Sequence, residues 1–492
     1  MNYPSLLYIK EPQNPPTDYT VFEDVKLTNL LGTDVIDAIK YPLDEENILA
    51  RQEFFSELES NSFRSALGVI YERMETVAAY HERANSASTE VERKCAFVGL
   101  LKAYAEFCTA AASLDAKGRL ASRFANFFSE ELEKPYFKRV AADTATVYPR
   151  IAEMSRHLMH ITGENMRIAP NPTQSFVERI AKCASDLGLS ELAGENISSR
   201  PLASPIIETA VSLYPDTVNA IEAFCEANKS FYDESVLNYR LALKFYLRMA
   251  EIFDRVKKAG MPLTYAKIAK ERIVNVHDAY DITLMTKDEM KIIPNDISFN
   301  KAEPFFYLTG ANGGGKTTYL RAVAVTVLMF LAGCPIACES AEIYPPDSLF
   351  THFPRDERFD KIGRFEDEER RVNDILDRIT ANSMVLLNET YSTTSEESAV
   401  ELTGKLADRL YGADVYGIYI THQHGLGETN IPYLNVVVDR DDANRRTYKV
   451  AKRRNEQGSL ALDVLRRYGL TSEALAERFP TAGNTTKGAD RA

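Results

Sequence analysis

Apolar positions recur at helical spacing through the first half of the chain, then give way near residue 272 to short apolar blocks. In "DEENILARQEFFSELES" the side chains of Ile48, Leu49, Phe54, Phe55 and Leu58 fall on a common face, with Asp44 placed as the N-cap. The stretch "TVNAIEAFCEANKSFYDESVLNYRLALKFYLRMAEIFDRVKKAG" keeps the helical period until Gly260 and Pro262. That length predicts either one long rod or an αα-hairpin. Proline-containing breaks at "IAPNPTQ" and "SSRPLASP" divide the helical region. Ahead of it, residues 1–40 carry four prolines before position 17 and then "VFEDVKLTNLLGTDVIDAI", an extended arm leading into a first helix.

After residue 272 the strand-like runs are "FFYL" (305–308), "SLFTHF" (348–353), "MVLL" (384–387), "VYGIYI" (415–420), "LNVVVD" (434–439) and "TYKVA" (447–451). Helical stretches lie between several of them, which predicts an α/β domain with a mostly parallel sheet. The chain is therefore expected to be multidomain, with an N-terminal arm (1–40), a helical domain (41–271), an α/β domain (272–480) and a disordered tail (481–492).

Composition narrows the picture only slightly. The 492 residues are 45% hydrophobic and 26% charged, ordinary values for a globular protein, with a formal net charge of −13. That balance argues against an all-basic surface but leaves room for a local basic groove. The six cysteines are scattered without a CxxC pair, and three residues separate Cys334 from Cys338 in an apolar run, which points to core packing. The N-terminus lacks the basic and apolar regions of a signal peptide, and "AVAVTVLMFLAG" (322–333) is too short to cross a bilayer. A cytoplasmic, reduced protein with no membrane partner is expected.

"FFYLTGANGGGKTTYLRAVAV" carries the strongest chemistry: Gly310, Gly315, Lys316 and Thr317 satisfy G-x-x-x-x-G-K-[ST] between a strand and a helix. Glycines let backbone N–H groups turn around phosphate oxygens, and a helix N-terminus adds its positive dipole end. The expected nucleotide-binding residues are Gly310, Ala311, Asn312, Gly313, Gly314, Gly315, Lys316, Thr317 and Thr318. Lys316 would neutralise β/γ-phosphate charge and Thr317 would ligate Mg²⁺. Downstream, "MVLLNE" reads as a buried strand ending in a metal-site residue and a water-orienting base, here Asn388 and Glu389. Asn388 keeps an acceptor oxygen without the negative charge, so weaker metal binding is expected. In "YITHQHGL" His422 stands at a strand end, placed to sense a γ-phosphate.

These segments resemble the ATPase domain of the MutS family, an ABC-type nucleotide-binding domain. "LTGANGGGKTTYLRAVAV" is similar to the family's TGPNMGGKSTYLRQVAL, with Ala311 and Gly313 in place of Pro and Met. "PNDISF" (294–299) is similar to the family's segment ahead of the phosphate loop. "AGCPIACESAEI" resembles IGCFVPAEEAEI, and "THQHGL" resembles THYHEL. More faintly, "YPLDEENILARQEFFSEL" is similar to the start of the family's helical core. The resemblance implies an all-α core/lever domain followed by an ABC-type P-loop ATPase domain. It also implies ATP and Mg²⁺ as cofactors, an ATP-dependent homodimer, and DNA as partner. Nothing resembles the family's mismatch-reading domain, so structured or branched DNA is the expected substrate. An ATP-gated scaffold with little hydrolysis and a ribosome- or RNA-acting relative remain alternatives.

Three departures from the family pattern bear on this. Asn388 replaces an acid. In "GRFEDEERRVNDIL" Phe365 and Glu368 match the family's S-T-F-x-x-E signature, but Gly363 and Arg364 stand where Ser and Thr belong. Arg364 is read either as a phosphate-pairing guanidinium or as a solvated charge. "TYSTTSEES" lacks the glycines of the family's G-T-S-T-x-D-G loop. Finally, "RRTYKVAKRR" (445–454) holds six basic residues and no acid, which fits either a phosphate-contacting patch or a solvated edge strand.

Overall fold

The computed structural model describes residues 3–154, 157–162, 165–170, 211–286, 292–354, 364–391, 395–422, 430–438, 446–452, 470 and 478. The chain divides into two compact units, one formed by Met1–Ile9 with Glu53–Ala250 and the other by Lys10–Gln52 with Glu251–Ala492. The sequence boundaries at 40 and 271 are thus not where the structure divides. Residues 10–52 are held in the second unit by backbone and buried side-chain bonds. Leu43 N–H donates to the Leu331 carbonyl at 3.1 Å, and the Arg51 guanidinium reaches the Ala332 carbonyl at 3.0 Å and the Ala38 carbonyl at 2.8 Å.

The chain begins with helices α1 (Tyr19–Asp24), α2 (Leu27–Leu31) and α3 (Glu45–Glu57). Asp44 caps α3 as expected, its carboxylate accepting from the Asn47 N–H at 2.9 Å. Ile48, Phe54, Phe55 and Leu58 are buried, but Leu49 is 39% exposed, a correction to the expected apolar face. One residue beyond Ile48, it has rotated about 100° out of the stripe.

The first unit is built from α4 (Asn61–Asn85), α5 (Glu90–Ala112), α6 (Arg119–Glu133), α7 (Pro135–Met154), α8 (Pro215–Asn228) and α9 (Asn238–Lys258). Helix α5 starts at a capping box, in which Thr89 and Glu92 satisfy each other's free backbone N–H. It is long and apolar enough to pass for a membrane span, yet Val98, Leu100, Leu101, Tyr104 and Phe107 are buried against its helical neighbours. The forty-residue helical pattern resolves into α8 and α9 rather than one rod. A short 3₁₀ turn (Glu234–Leu237) separates them, capped by Asp233, which accepts from the Ser235 N–H at 3.0 Å. A hairpin of β1 (His157–Thr162) and β2 (Asn165–Pro170) interrupts the helical region, a correction to the expected all-α domain. Residues 3–9 are tied down by buried phenols, with Tyr239 donating to the Pro4 carbonyl at 2.6 Å and Tyr246 to the Leu6 carbonyl at 2.8 Å.

The second unit continues with β3 (Lys267–Ile268), β4 (Val274–Ala279), β5 (Asn295–Phe299) and β6 (Phe305–Thr309). After β6 come α10 (Lys316–Leu331), β7 (Ser340–Ile343), β8 (Ser348–His352), α11 (Arg364–Arg378) and β9 (Ser383–Asn388). The chain closes the unit with α12 (Glu396–Gly412), β10 (Tyr416–Ile420), β11 (Tyr433–Val438) and β12 (Arg446–Lys452). Six strands form one sheet in the order β12-β11-β6-β10-β9-β8, parallel throughout except for β12. All six are the expected strands. A second sheet, β3-β7-β4-β5, went unread in the sequence because its strands are short and expose alternate residues. The interior strands β9 and β10 are buried along their whole length, as parallel strands covered on both faces are. Cys334 and Cys338 are both fully buried, in keeping with core packing.

Gly417, in the middle of β10, sits where a Cβ would lie 2.4 Å from both the Phe305 ring and the Val385 carbonyl oxygen. Gly417→Ala is therefore expected to destabilise this unit by about 1–3 kcal/mol through overpacking. A thermal melt followed by circular dichroism checks this, and an unchanged midpoint would contradict it.

Candidate functional site

Three parallel strands bring the singled-out residues to one rim of the sheet. Strand β10 lies between β6 and β9, and Ile420 is in register with Leu308 on one side and Asn388 on the other. The phosphate-type loop leaves β6 at Gly310, Asn388 and Glu389 end β9, and Thr421 and His422 follow β10. Two further backbone bonds hold these ends in line, Glu389 N–H to the Ile420 carbonyl at 3.0 Å and Thr421 N–H to the Leu308 carbonyl at 3.2 Å. The carboxyl ends of parallel strands are where ligands bind in open α/β sheets.

The loop takes its shape from glycine. Gly310, Gly313 and Gly315 have φ of 128°, 70° and 97°, a region that other residues adopt at a cost. At Gly310 a Cβ would also stand 3.1 Å from the Val436 side chain of β11, so the loop lies flat on that strand. Thr309 and Asn435 are hydrogen-bonded beneath it. Gly315 then caps α10, and Lys316 opens the helix.

The Lys316 ammonium folds back over its own loop, donating to the Gly310 carbonyl at 2.9 Å, the Ala311 carbonyl at 3.3 Å and Asn312 Oδ1 at 3.4 Å. Burial brings its pKa down to about 8, with Arg446 adding to the depression and Glu389 opposing it. Thr317 and Thr318, next along the helix, are half-buried at the same end.

Across the rim, Glu389 Oε1 meets His422 Nε2 at 2.8 Å. That hydrogen bond, with the imidazole and Lys316 close by, holds the Glu389 carboxyl below the usual carboxylate range against the opposing effect of burial. Glu389 has φ 53°, in the left-handed region, as does Tyr391 at 62°. A non-glycine residue there costs of order 1–3 kcal/mol, and such strain concentrates at functional sites. Asn388 is 6% exposed, and its Oδ1 is buried with no hydrogen-bond partner among the described residues.

The other sequence readings fare unevenly. In α11, Val372 and Ile375 are buried in the core of this unit, with Phe365, Leu376 and Ile379 packed against it. The Phe365 ring lies 6.1 Å from that of Tyr391. Gly363, the Arg364 side chain and residues 392–394 lie outside the described residues, as do Arg445, Arg453, Arg454 and the tail from 481. Of the basic strand, Lys449 is engaged by the Pro294 carbonyl at 2.5 Å and Asp278 at 3.8 Å, and Lys452 by Glu303. Those contacts favour the solvated-edge reading for both lysines. Val436 and Asn295 are site neighbours outside the expected set of site residues; "PNDISF" marks the segment of Asn295 but not its contact with β12.

Residues 306–477 match the family described as MutS domain V. The chain is 29% identical over 181 residues to DNA mismatch repair protein MSH1, mitochondrial, of Arabidopsis thaliana, covering 37% of this chain and 15% of that protein. It is 28% identical over 169 residues to DNA mismatch repair protein MSH2 of Saccharomyces cerevisiae, covering 34% and 18%. With DNA mismatch repair protein MutS of Streptococcus equi subsp. equi it shares 24% identity over 273 residues, 50% of this chain and 32% of the relative. The matches thus span less than a third of each of these relatives. Residues 306–477 thus match the model of MutS domain V, and this part of the chain is similar to MutS and MSH proteins.

Proposed function

We propose that the second unit is a Mg²⁺-dependent ATPase of the ABC type, working slowly and as an ATP-dependent homodimer to switch a DNA-binding protein. The observation that carries this reading is the shared rim. The register Leu308–Ile420–Asn388 lines up a glycine loop with its lysine, a strained glutamate and a histidine bonded to it. A polyphosphate would lie on the loop's backbone N–H groups and the α10 N-terminus, with Lys316 turning from its own carbonyls to the β- and γ-phosphates. Glu389 would hold the attacking water and take its proton, while His422 orients Glu389 and faces the γ-phosphate.

The residues present fit a magnesium ion. Asn388 Oδ1 is a buried acceptor lacking a donor, which a metal-bound water would supply, and Thr317 carries a hydroxyl at the helix start. Magnesium characteristically keeps several waters and shares substrate phosphate oxygens, so one or two side-chain oxygens are enough to hold it. When bound, the ion would neutralise phosphate charge as it develops.

DNA as the partner comes from the mismatch-repair names of the relatives, and structured or branched duplex is the preferred form. ATP turnover with branched duplex, homoduplex and structured RNA tests that preference; stimulation by RNA alone would overturn it. The missing charge at Asn388 should weaken metal or transition-state stabilisation by ~1–3 kcal/mol, about tenfold to hundredfold. Asn388→Asp is accordingly expected to lower the Mg²⁺ concentration that gives half-maximal turnover. If neither form hydrolyses ATP at saturating Mg²⁺, the protein is an ATP-gated scaffold.

A further inference from the structure

Strand β12 is irregular where it passes the phosphate loop. Val436 pairs with Val450 and Val438 with Arg446, so one residue of β11 faces three of β12. Such a bulge re-aims side chains, and bulges gather beside active sites. At its centre Tyr448 has φ 56°, a costly conformation for an aromatic residue.

The bulge is locked from two sides. The buried Asn295 side chain donates to the Tyr448 carbonyl at 3.0 Å and accepts from the Val450 N–H at 2.8 Å. Thr447 hydroxyl donates to the Val437 carbonyl. The result is a ring that folding alone does not need: Tyr448 is 48% exposed, and its Cδ1 lies 3.2 Å from where a Cβ on Gly315 would be. Arg446, two residues earlier, has a buried Nη1 with no hydrogen-bond partner among the described residues. It lies within electrostatic reach of Lys316 at the start of α10.

We propose that the β12 bulge is a second wall of the nucleotide site, with Arg446 adding a cation to the polyphosphate cradle and the Tyr448 ring stacking against the base. A guanidinium suits this place because it can pair with phosphate oxygens at two points. An exposed ring beside the helix N-terminus offers a face that tolerates any base. Asn295 is a positioning residue, holding the bulge that aims both side chains.

The inference rests on the proposed nucleotide site, and the two separate by experiment. Equilibrium binding of ATP and of inorganic tripolyphosphate is measured without Mg²⁺ for wild type, Lys316→Ala, Arg446→Gln, Arg446→Lys and Tyr448→Ala. Arg446→Gln should weaken both ligands about tenfold, as expected for a lost charge-assisted contact, with Arg446→Lys between it and wild type. Tyr448→Ala should weaken ATP about tenfold and leave tripolyphosphate unchanged, because stacking touches only the base. Asn295→Ala should reproduce both losses in milder form. If Lys316→Ala loses ATP while Arg446→Gln and Tyr448→Ala bind like wild type, the second wall is wrong and the phosphate loop stands. If wild type binds neither ligand, the nucleotide reading itself fails. Tyr448→Ala, if its melting midpoint falls, is judged by its tripolyphosphate-to-ATP ratio, which partial unfolding would leave unchanged, and Arg446→Gln is measured at a temperature where its melt shows it fully folded.

Discussion

Replacing Glu389 with glutamine is expected to reduce ATP turnover by about 10²–10⁴-fold while ATP still binds. The carboxylate is held ionised by the 2.8 Å bond to His422, and it occupies a left-handed backbone position that glycine would fill without strain. The backbone conformation works against a glutamate there, so its side chain is kept for what it does. Glutamine matches its size and can still meet the imidazole, but it cannot accept a proton from water. Phosphate release measured beside equilibrium binding separates the two effects. Turnover within threefold of wild type would move the base elsewhere.

Lys316→Ala is expected to weaken ATP binding by ~2–4 kcal/mol, roughly 30- to 1000-fold, the worth of a desolvated charge-assisted contact. The same lysine predicts a pH dependence. In the free protein its pKa is lowered to about 8, so below that pH the ammonium is already charged when phosphate arrives. Above it the lysine is neutral and must take up a proton on binding, because phosphate favours the charged form. ATP affinity should therefore fall as pH rises past about 8, by up to tenfold per pH unit until the bound-state pKa is reached. The slope should vanish in Lys316→Ala. A titration of fluorescent ATP analogues across this range would expose a flat profile, and with it a lysine that does not meet the phosphates.

Much of this site was legible in the sequence because its parts are contiguous. Gly310 to Thr317 declare a loop by spacing alone, and the apolar runs before Asn388 and Thr421 declare two buried strands. Their meeting required one more fact, that β10 lies between β6 and β9, which parallel order supplies but periodicity does not. The β12 bulge was illegible. "TYKVA" reads as an ordinary strand, and only the side chain of Asn295, more than 150 residues earlier in the chain, turns Tyr448 out of register. Leu49 failed for a plainer reason: an apolar side chain beside a buried face does not have to be buried itself. Local pattern marks an extended arm leading into a first helix, but it says nothing of where residues 10–52 dock, which is in the second unit.

That division sets a timetable for synthesis. Asp24 waits for Thr351, 327 residues later, and Arg51 for the Ala332 carbonyl, 281 residues later. At roughly 5–20 residues per second, the second interval is about 15 to 60 s on the ribosome. Through that time the apolar side chains of α1 and α2, among them Phe22, Leu27 and Leu30, have no finished core to enter. Residues 53–250 emerge complete in the meantime and can fold first. The early segment is then an orphaned piece of a later-made unit, exposed to chaperones and proteases until the glycine loop and its sheet have left the tunnel.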